Sequence, residues 1–161
     1  MTCKKMGAIV GALFMTLLAG CATVEEDDGI VELTLNISVS EGVNPDKSGR
    51  PSPIFLQVHE LRDASTFNNS RYLDVYRDAR GTLGSTYVAT YEFGPLYPGS
   101  EVQKVIRLSP TSVAIGVLGE FNRYQETEHT MLRIEFTPGE DSSASFIINA
   151  AGLKNAASLE P

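Results

Sequence analysis

The chain has 161 residues, with 20 acidic and 13 basic side chains and a formal net charge of −7. That balance repels nucleic acid and anionic lipid, so neither is expected to be held through charge. With 42% hydrophobic residues and only 2 cysteines, the composition suits a globular domain that rests on its core and not on disulfides.

The first twenty residues do not read as part of that core. Lys4 and Lys5 form a basic start, Met6 to Leu18 form an apolar run, and Leu18-Ala19-Gly20-Cys21 places small residues directly before a cysteine. This is the order of a secretory signal with a lipoprotein cleavage site, so residues 1–20 are expected to be removed and Cys21 to carry the acyl chains. Small residues let the peptidase reach the bond, and the thiolate is the group acylated. The apolar run is shorter than the roughly 18 to 20 residues that span a bilayer. Cys3 leaves with the signal and Cys21 is acylated, so no thiol is left for a disulfide, a thiolate metal site or a nucleophile. Losing Lys4 and Lys5 leaves 11 basic against 20 acidic groups, a net charge of −9. Contact with the membrane must then come from the acyl chains. Ala22 stands where an aspartate would favour retention at the inner membrane, which points to the outer one. Residues 21–29 include Glu25, Glu26, Asp27 and Asp28 without apolar periodicity, and read as an acidic tether.

A domain is expected over residues 30–152, with 153–161 as a tail. Val31, Leu33, Leu35, Ile37 and Val39 alternate with polar residues, the mark of a strand with one buried and one wet face. The stretch VNPDKSGRPSP, residues 43–53, carries three prolines, a glycine and charges. It cannot join a ladder, and its roughly ten residues exceed the two to five usual in a hairpin. Ile54, Leu56 and Val58 alternate in a second strand, with Phe55 and Leu61 on its other face. Between residues 64 and 80 the period changes to helical, with Ser65 and Ser70 as candidate caps and Gly81 and Gly84 as breakers. Residues 87–93 are apolar and aromatic without a clear period. Further strands are expected over 102–108, 113–121, 131–136 and 144–150, with turn chemistry at Pro98-Gly99 and Pro138-Gly139. Strands at this spacing predict an all-β antiparallel sandwich or barrel.

Catalytic chemistry is hard to place on this sequence. His59 and His129 are the only histidines and lie far apart. There is no Gly-x-Ser-x-Gly elbow and no phosphate-binding glycine pattern, so no enzyme activity, cofactor or metal is expected. Gly116 and Gly119 lie in an apolar strand, where close packing or a bulge is expected. Tyr72, Tyr76, Tyr87, Tyr91, Tyr97 and Phe93 could line an aromatic pocket. A periplasmic ligand-binding lipoprotein with Tyr87, Tyr91 and Tyr97 around its ligand therefore stays open as a second reading. The loop after the first strand suits a plain connector and a partner surface equally well.

Four pieces in order resemble the outer-membrane lipoprotein family TssJ, also called VasD or Lip, of type VI secretion systems. They are Asn44-Pro45 with Gly49-Arg50-Pro51-Ser52-Pro53; Leu61-Arg62-Asp63 with Phe67; Leu73 and Tyr76 before Leu83-Gly84; and Pro98-Gly99 with the later Ile115-Gly116-Val117. The resemblance covers most of residues 31–150, departs from the family pattern over residues 122–130, and is reinforced by the lipobox. It implies a transthyretin-like antiparallel β-sandwich with a small helical insertion. It also implies a non-catalytic role: anchoring a membrane complex to the outer membrane by binding the periplasmic C-terminal part of the inner-membrane protein TssM. The loop from Glu41 to Arg50 matches the family's contact loop, so Asn44, Pro45, Asp46, Lys47, Ser48, Gly49 and Arg50 become the expected partner-binding residues. Outside the complex a monomer is expected.

Overall fold

The computed structural model describes residues 30–156; the signal, Cys21, the acidic tether and residues 157–161 lie outside the described residues. Eight strands and a helical insertion follow in order: β1 (Val31–Val39), β2 (Ile54–Leu61), α1 (Ser65–Asn69), α2 (Tyr72–Arg77), α3 (Ala79–Leu83), a 3-10 turn (Gly84–Thr86), β3 (Tyr87–Leu96), β4 (Glu101–Leu108), β5 (Ala114–Gly119), β6 (Met131–Glu135), β7 (Ser142–Asn149) and β8 (Gly152–Asn155). They form two four-stranded sheets, ordered β4-β1-β7-β8 and β3-β2-β5-β6, packed as a β-sandwich.

The alternation in β1 does what its period requires. Val31, Leu33, Leu35, Ile37 and Val39 are buried, and the last four share a core with Leu56, Val58, Ile115 and Val117 of the other sheet together with Phe146 and Ile148. The second sheet is covered on both faces around the end of β2 and along β5, while Phe55 at its other end is exposed. Its inner face meets the first sheet, and its outer face lies under the helices. Leu61, Ala114 and Leu118 pack there against Phe67, Val75 and Leu83. That double cover explains why every residue of β5 is buried. Gly116 faces the Phe67 ring so closely that a Cβ would overlap it, and this is the close packing expected of that glycine.

Several local expectations are corrected. β1 and β7 pair in parallel, from Leu33 opposite Ser142 to Val39 opposite Ile148, whereas the other strand pairings are antiparallel. β6 ends at the pole where β1 begins, and residues 136–141 cross between the sheets there, so β7 sets out in the same direction as β1. Neither Ser65 nor Ser70 caps a helix N-terminus by its side chain. Ser65 is itself the first residue of α1, and Asp63 accepts a hydrogen bond from its N–H at 2.6 Å. Ser70 closes α1, donating its hydroxyl to the Thr66 carbonyl. Gly81 breaks nothing: it lies inside α3, where the Asp78 side chain accepts from its N–H. Residues 87–93 belong to one ten-residue strand. β8 continues to Asn155, past the boundary drawn at residue 152.

The register separates two poles. β1 starts beside Leu108 and Ser142, and ends beside Glu101 and Ile148. The chain thus enters β1 at one pole. The loop of residues 40–53, the turn of residues 97–100, the β5–β6 loop and the β7–β8 turn gather at the other.

Candidate partner-binding site

The β1–β2 loop is an ordered object. Val43 and Asn44 are buried at its base, while Lys47, Ser48, Gly49 and Arg50 are exposed at its tip. Asp46 organises the tip. Its Oδ1 accepts from the N–H groups of Ser48 (2.7 Å) and Arg50 (3.0 Å), and its Oδ2 meets the Arg50 guanidinium at 2.9 Å. The Arg50 backbone N–H is the main reason its carboxyl is held below the usual range, with the Arg50 side chain and the Ser48 N–H acting the same way. Backbone bonds Asp46 N–H to Arg50 O and Gly49 N–H to Asp46 O close the turn, with Gly49 at φ +78. This local pairing leaves Lys47 outside it.

Asn44 is buried at the base of the loop. It sits at φ 47, donates from Nδ2 to the Pro53 carbonyl at 2.7 Å, and accepts at Oδ1 from the Asn122 N–H at 2.7 Å. Ser52 Oγ and Asn122 Nδ2 both donate to the Asn44 carbonyl. Asn44 therefore locks the β1–β2 loop to the β5–β6 loop. The residues expected to bind a partner thus divide: Asp46, Lys47, Ser48, Gly49 and Arg50 form one presented tip, Pro45 is half-buried beside it, and Asn44 holds the base.

The β5–β6 loop completes the surface. A shallow groove of about 100 Å³ separates Asn44 and Pro45 from Arg123, Glu126 and Thr127. A second, of about 170 Å³, runs from Lys47 along residues 122–126. A third, of about 250 Å³, lies between α2 and the same loop, lined by Tyr72, Leu73, Tyr76, Glu120, Phe121, Asn122 and Tyr124. Shared walls make these a band from Pro45 to Tyr76. In it Tyr72 stacks on Tyr76 (centroids 5.8 Å apart, planes at 10°) and on Tyr124 (5.2 Å, 19°). Tyr72 also donates its hydroxyl to the Gly119 carbonyl at 3.1 Å, and burial first, then the Glu120 charge, pushes its pKa up to about 12. The i, i+4 spacing of Tyr72 and Tyr76 was visible in the sequence. Their meeting with Tyr124, 52 residues after Tyr72, was not.

The other candidate chemistry disperses. His59 is fully buried, with Nδ1 2.9 Å from Thr90 Oγ1 and Phe67 beside its ring. Glu60 is buried as an anchor for the β4–β5 connection, accepting from Ser109 N–H (2.7 Å), Ser112 Oγ (2.5 Å) and Tyr91 Oη (2.9 Å). Tyr91 is spent on that bond and on the Arg107 carbonyl, Tyr87 meets Thr90, and Tyr97 stands 60% exposed. None of the three tyrosines lines any of the grooves above. Among the described residues no group of three or more His, Cys, Asp or Glu could hold a metal ion.

Comparison with known proteins agrees with this fold. No curated protein matches the chain. Solved structures do. The P. aeruginosa T6SS lipoprotein TssJ1 (Pseudomonas aeruginosa) matches with a TM-score of 0.70 at 19% identity, over 78% of this chain and 94% of that one. Lip of Serratia marcescens, a membrane-bound component of the type VI secretion system, matches with a TM-score of 0.68 at 20% identity, over 79% and 96%. A structure described as the T6SS protein TssM C-terminal domain (869-1107) from EAEC holds a chain that matches with a TM-score of 0.62 at 18% identity, over 77% and 96%. These likenesses establish the shared β-sandwich. A family model described as type VI secretion lipoprotein, VasD, EvfM, TssJ, VC_A0113, matches residues 31–150. The chain belongs to this family of type VI secretion lipoproteins.

Proposed function

We propose that this lipoprotein, acylated at Cys21 and held at the periplasmic face of the outer membrane, anchors a type VI secretion membrane complex by docking the periplasmic C-terminal part of a TssM-like inner-membrane protein. The observation that carries the reading is the placement of the loop of residues 41–50. It projects from the pole opposite the start of β1, and its tip is set in advance by Asp46 and locked at its base by Asn44. A loop ordered before binding loses little conformational freedom when it docks. The match to the structure described as the TssM C-terminal domain supports the choice of partner. In this role the chain supplies a surface and performs no reaction.

The test uses the acylated chain in lipid nanodiscs and a purified periplasmic C-terminal domain of a TssM-like protein. Replacing Asp46, Lys47 and Arg50 together by alanine should weaken binding at least about tenfold, roughly 1.4 kcal/mol. The melting transition should stay cooperative, because the Asn44 lock is untouched. Unchanged affinity would remove the loop from the interface.

A further inference from the structure

The tyrosine groove beside α2 carries an inference of its own. Its lining residues include one charged group, Glu120. Glu120 is half-buried, and its Oε1 accepts from Gln57 Nε2 at 3.1 Å. Oε2 has no hydrogen-bond donor among the described residues. No cation among the described residues forms an ion pair with Glu120: Arg71 is paired with Asp74, Arg123 with Glu126, and Arg77 and Lys47, in the adjoining grooves, do not reach it. The near-parallel rings of Tyr76, Tyr72 and Tyr124 stand next to it. Closing the gap between α2 and the β5–β6 loop explains Tyr72, whose hydroxyl is tied to Gly119. It does not explain Tyr76, which is 42% exposed and whose hydroxyl makes no hydrogen bond among the described residues.

A planar cation fits both features. A guanidinium stacks on aromatic faces, is more weakly hydrated than an ammonium, and meets a carboxylate through paired N–H donors. An acidic chain also favours a basic partner segment on encounter. We infer that this groove takes an arginine side chain of the docked partner, stacked against the tyrosines and paired with Glu120. The inference rests on docking at this pole as proposed above, and it adds an anchor beside the loop tip.

Two measurements on the acylated chain in nanodiscs test it. The chain has 6 tyrosines, so ring signals from tyrosine labelled with carbon-13 form a sparse spectrum. N-acetyl-arginine amide should shift the signals of Tyr72, Tyr76 and Tyr124, whereas N-acetyl-citrulline amide, its uncharged analogue, should not. The Glu120→Gln variant should abolish the difference. In the second measurement, Glu120→Gln and, separately, Tyr76→Ala should each weaken binding of the TssM-like domain by about tenfold. Equal shifts with citrulline would mean an apolar groove without charge selection and overturn the inference, as would no shift at all. A concentration-dependent dimer lost on Tyr76→Ala would assign the groove to a second copy and also overturn it. If Glu120→Gln leaves partner affinity intact while the triple loop variant weakens it, the arginine anchor fails and the docking reading stands. If neither changes affinity, docking at this pole fails too.

Discussion

Asn44 is one of the expected partner-binding residues, and in the fold it holds two loops together. Its sequence neighbours suggest a presented loop, but its side chain spans two loops, bonded to Pro53 and Asn122 from a left-handed backbone. Asn44→Ala loses both side-chain bonds and leaves at φ 47 a residue that adopts this left-handed backbone less readily than asparagine. The expected cost is about 2 to 3 kcal/mol of unfolding free energy, measured by urea denaturation. Asn44→Gly removes the bonds without the backbone strain and should cost about 1 kcal/mol less. His59 makes a second prediction. Burial pushes its pKa from 6.5 down to about 4, so the fold keeps it neutral between Thr90 and Phe67. A base with its folded pKa below its unfolded one takes up a proton more readily in the unfolded chain. Its contribution to stability is therefore complete above about pH 6.5 and is lost as pH falls toward about 4, by about 3 kcal/mol in all. The upper part of that window, pH 6.5 to 5, lies above the range in which exposed carboxylates titrate. Urea unfolding there should show a downward slope that flattens in His59→Leu; an identical slope in the variant would clear His59 of the effect.

At the scale of elements, the strands with alternating faces were legible and the elements defined by distant neighbours were not. Val31 to Val39 and Ile54 to Val58 announce themselves because half of each face is wet or lies against one core. β5, buried on both faces, was still legible as an apolar run within residues 113–121, whereas β8, four residues long, shows no full alternating pattern and was not expected. The parallel pairing of β7 with β1 depends on which sheet β7 joins, and no local residue encodes that. The helical insertion was read from its period. Its caps were misread because Ser65 and Ser70 act at other positions, and α3 was missed because it follows α2 after a single residue, Asp78. The candidate site divides in the same way. Proline, glycine and charge marked residues 41–50 as irregular, whereas Asn122 and Tyr124 matter through contacts made across the chain. The insertion also yields a test of its own packing. Gly116→Val would drive a branched side chain into the Phe67 ring, at an expected cost of about 2 to 3 kcal/mol. Adding Phe67→Ala opens that space, so the double variant should lose less than the sum of the two single losses.

Across the whole molecule, the separation of the two poles has a consequence for how anchoring and docking combine. The nine residues of β1, at about 3.3 Å each, set the pole where the chain enters about 30 Å from the base of the loop. Among the described residues the fixed points of the loop pole are local to it: Asn44 is bonded to Pro53 and Asn122, Asp46 to Ser48 and Arg50, and Tyr72 to the Gly119 carbonyl. On the proposed reading, acyl chains on Cys21 should therefore decide where the domain resides and leave the shape of the proposed docking surface unchanged. Cys21→Ser should release the chain from the membrane fraction. The purified soluble variant should still bind the TssM-like domain with an affinity within about twofold of the acylated form, because that difference, roughly 0.4 kcal/mol, is smaller than the loss of any one anchor. Fractionation and titration calorimetry on the same variant read the two properties separately. A Cys21→Ser protein that folds, with the same urea midpoint as the parent, and yet fails to bind would show that the lipidated end takes part in the contact and that the poles do not divide the labour.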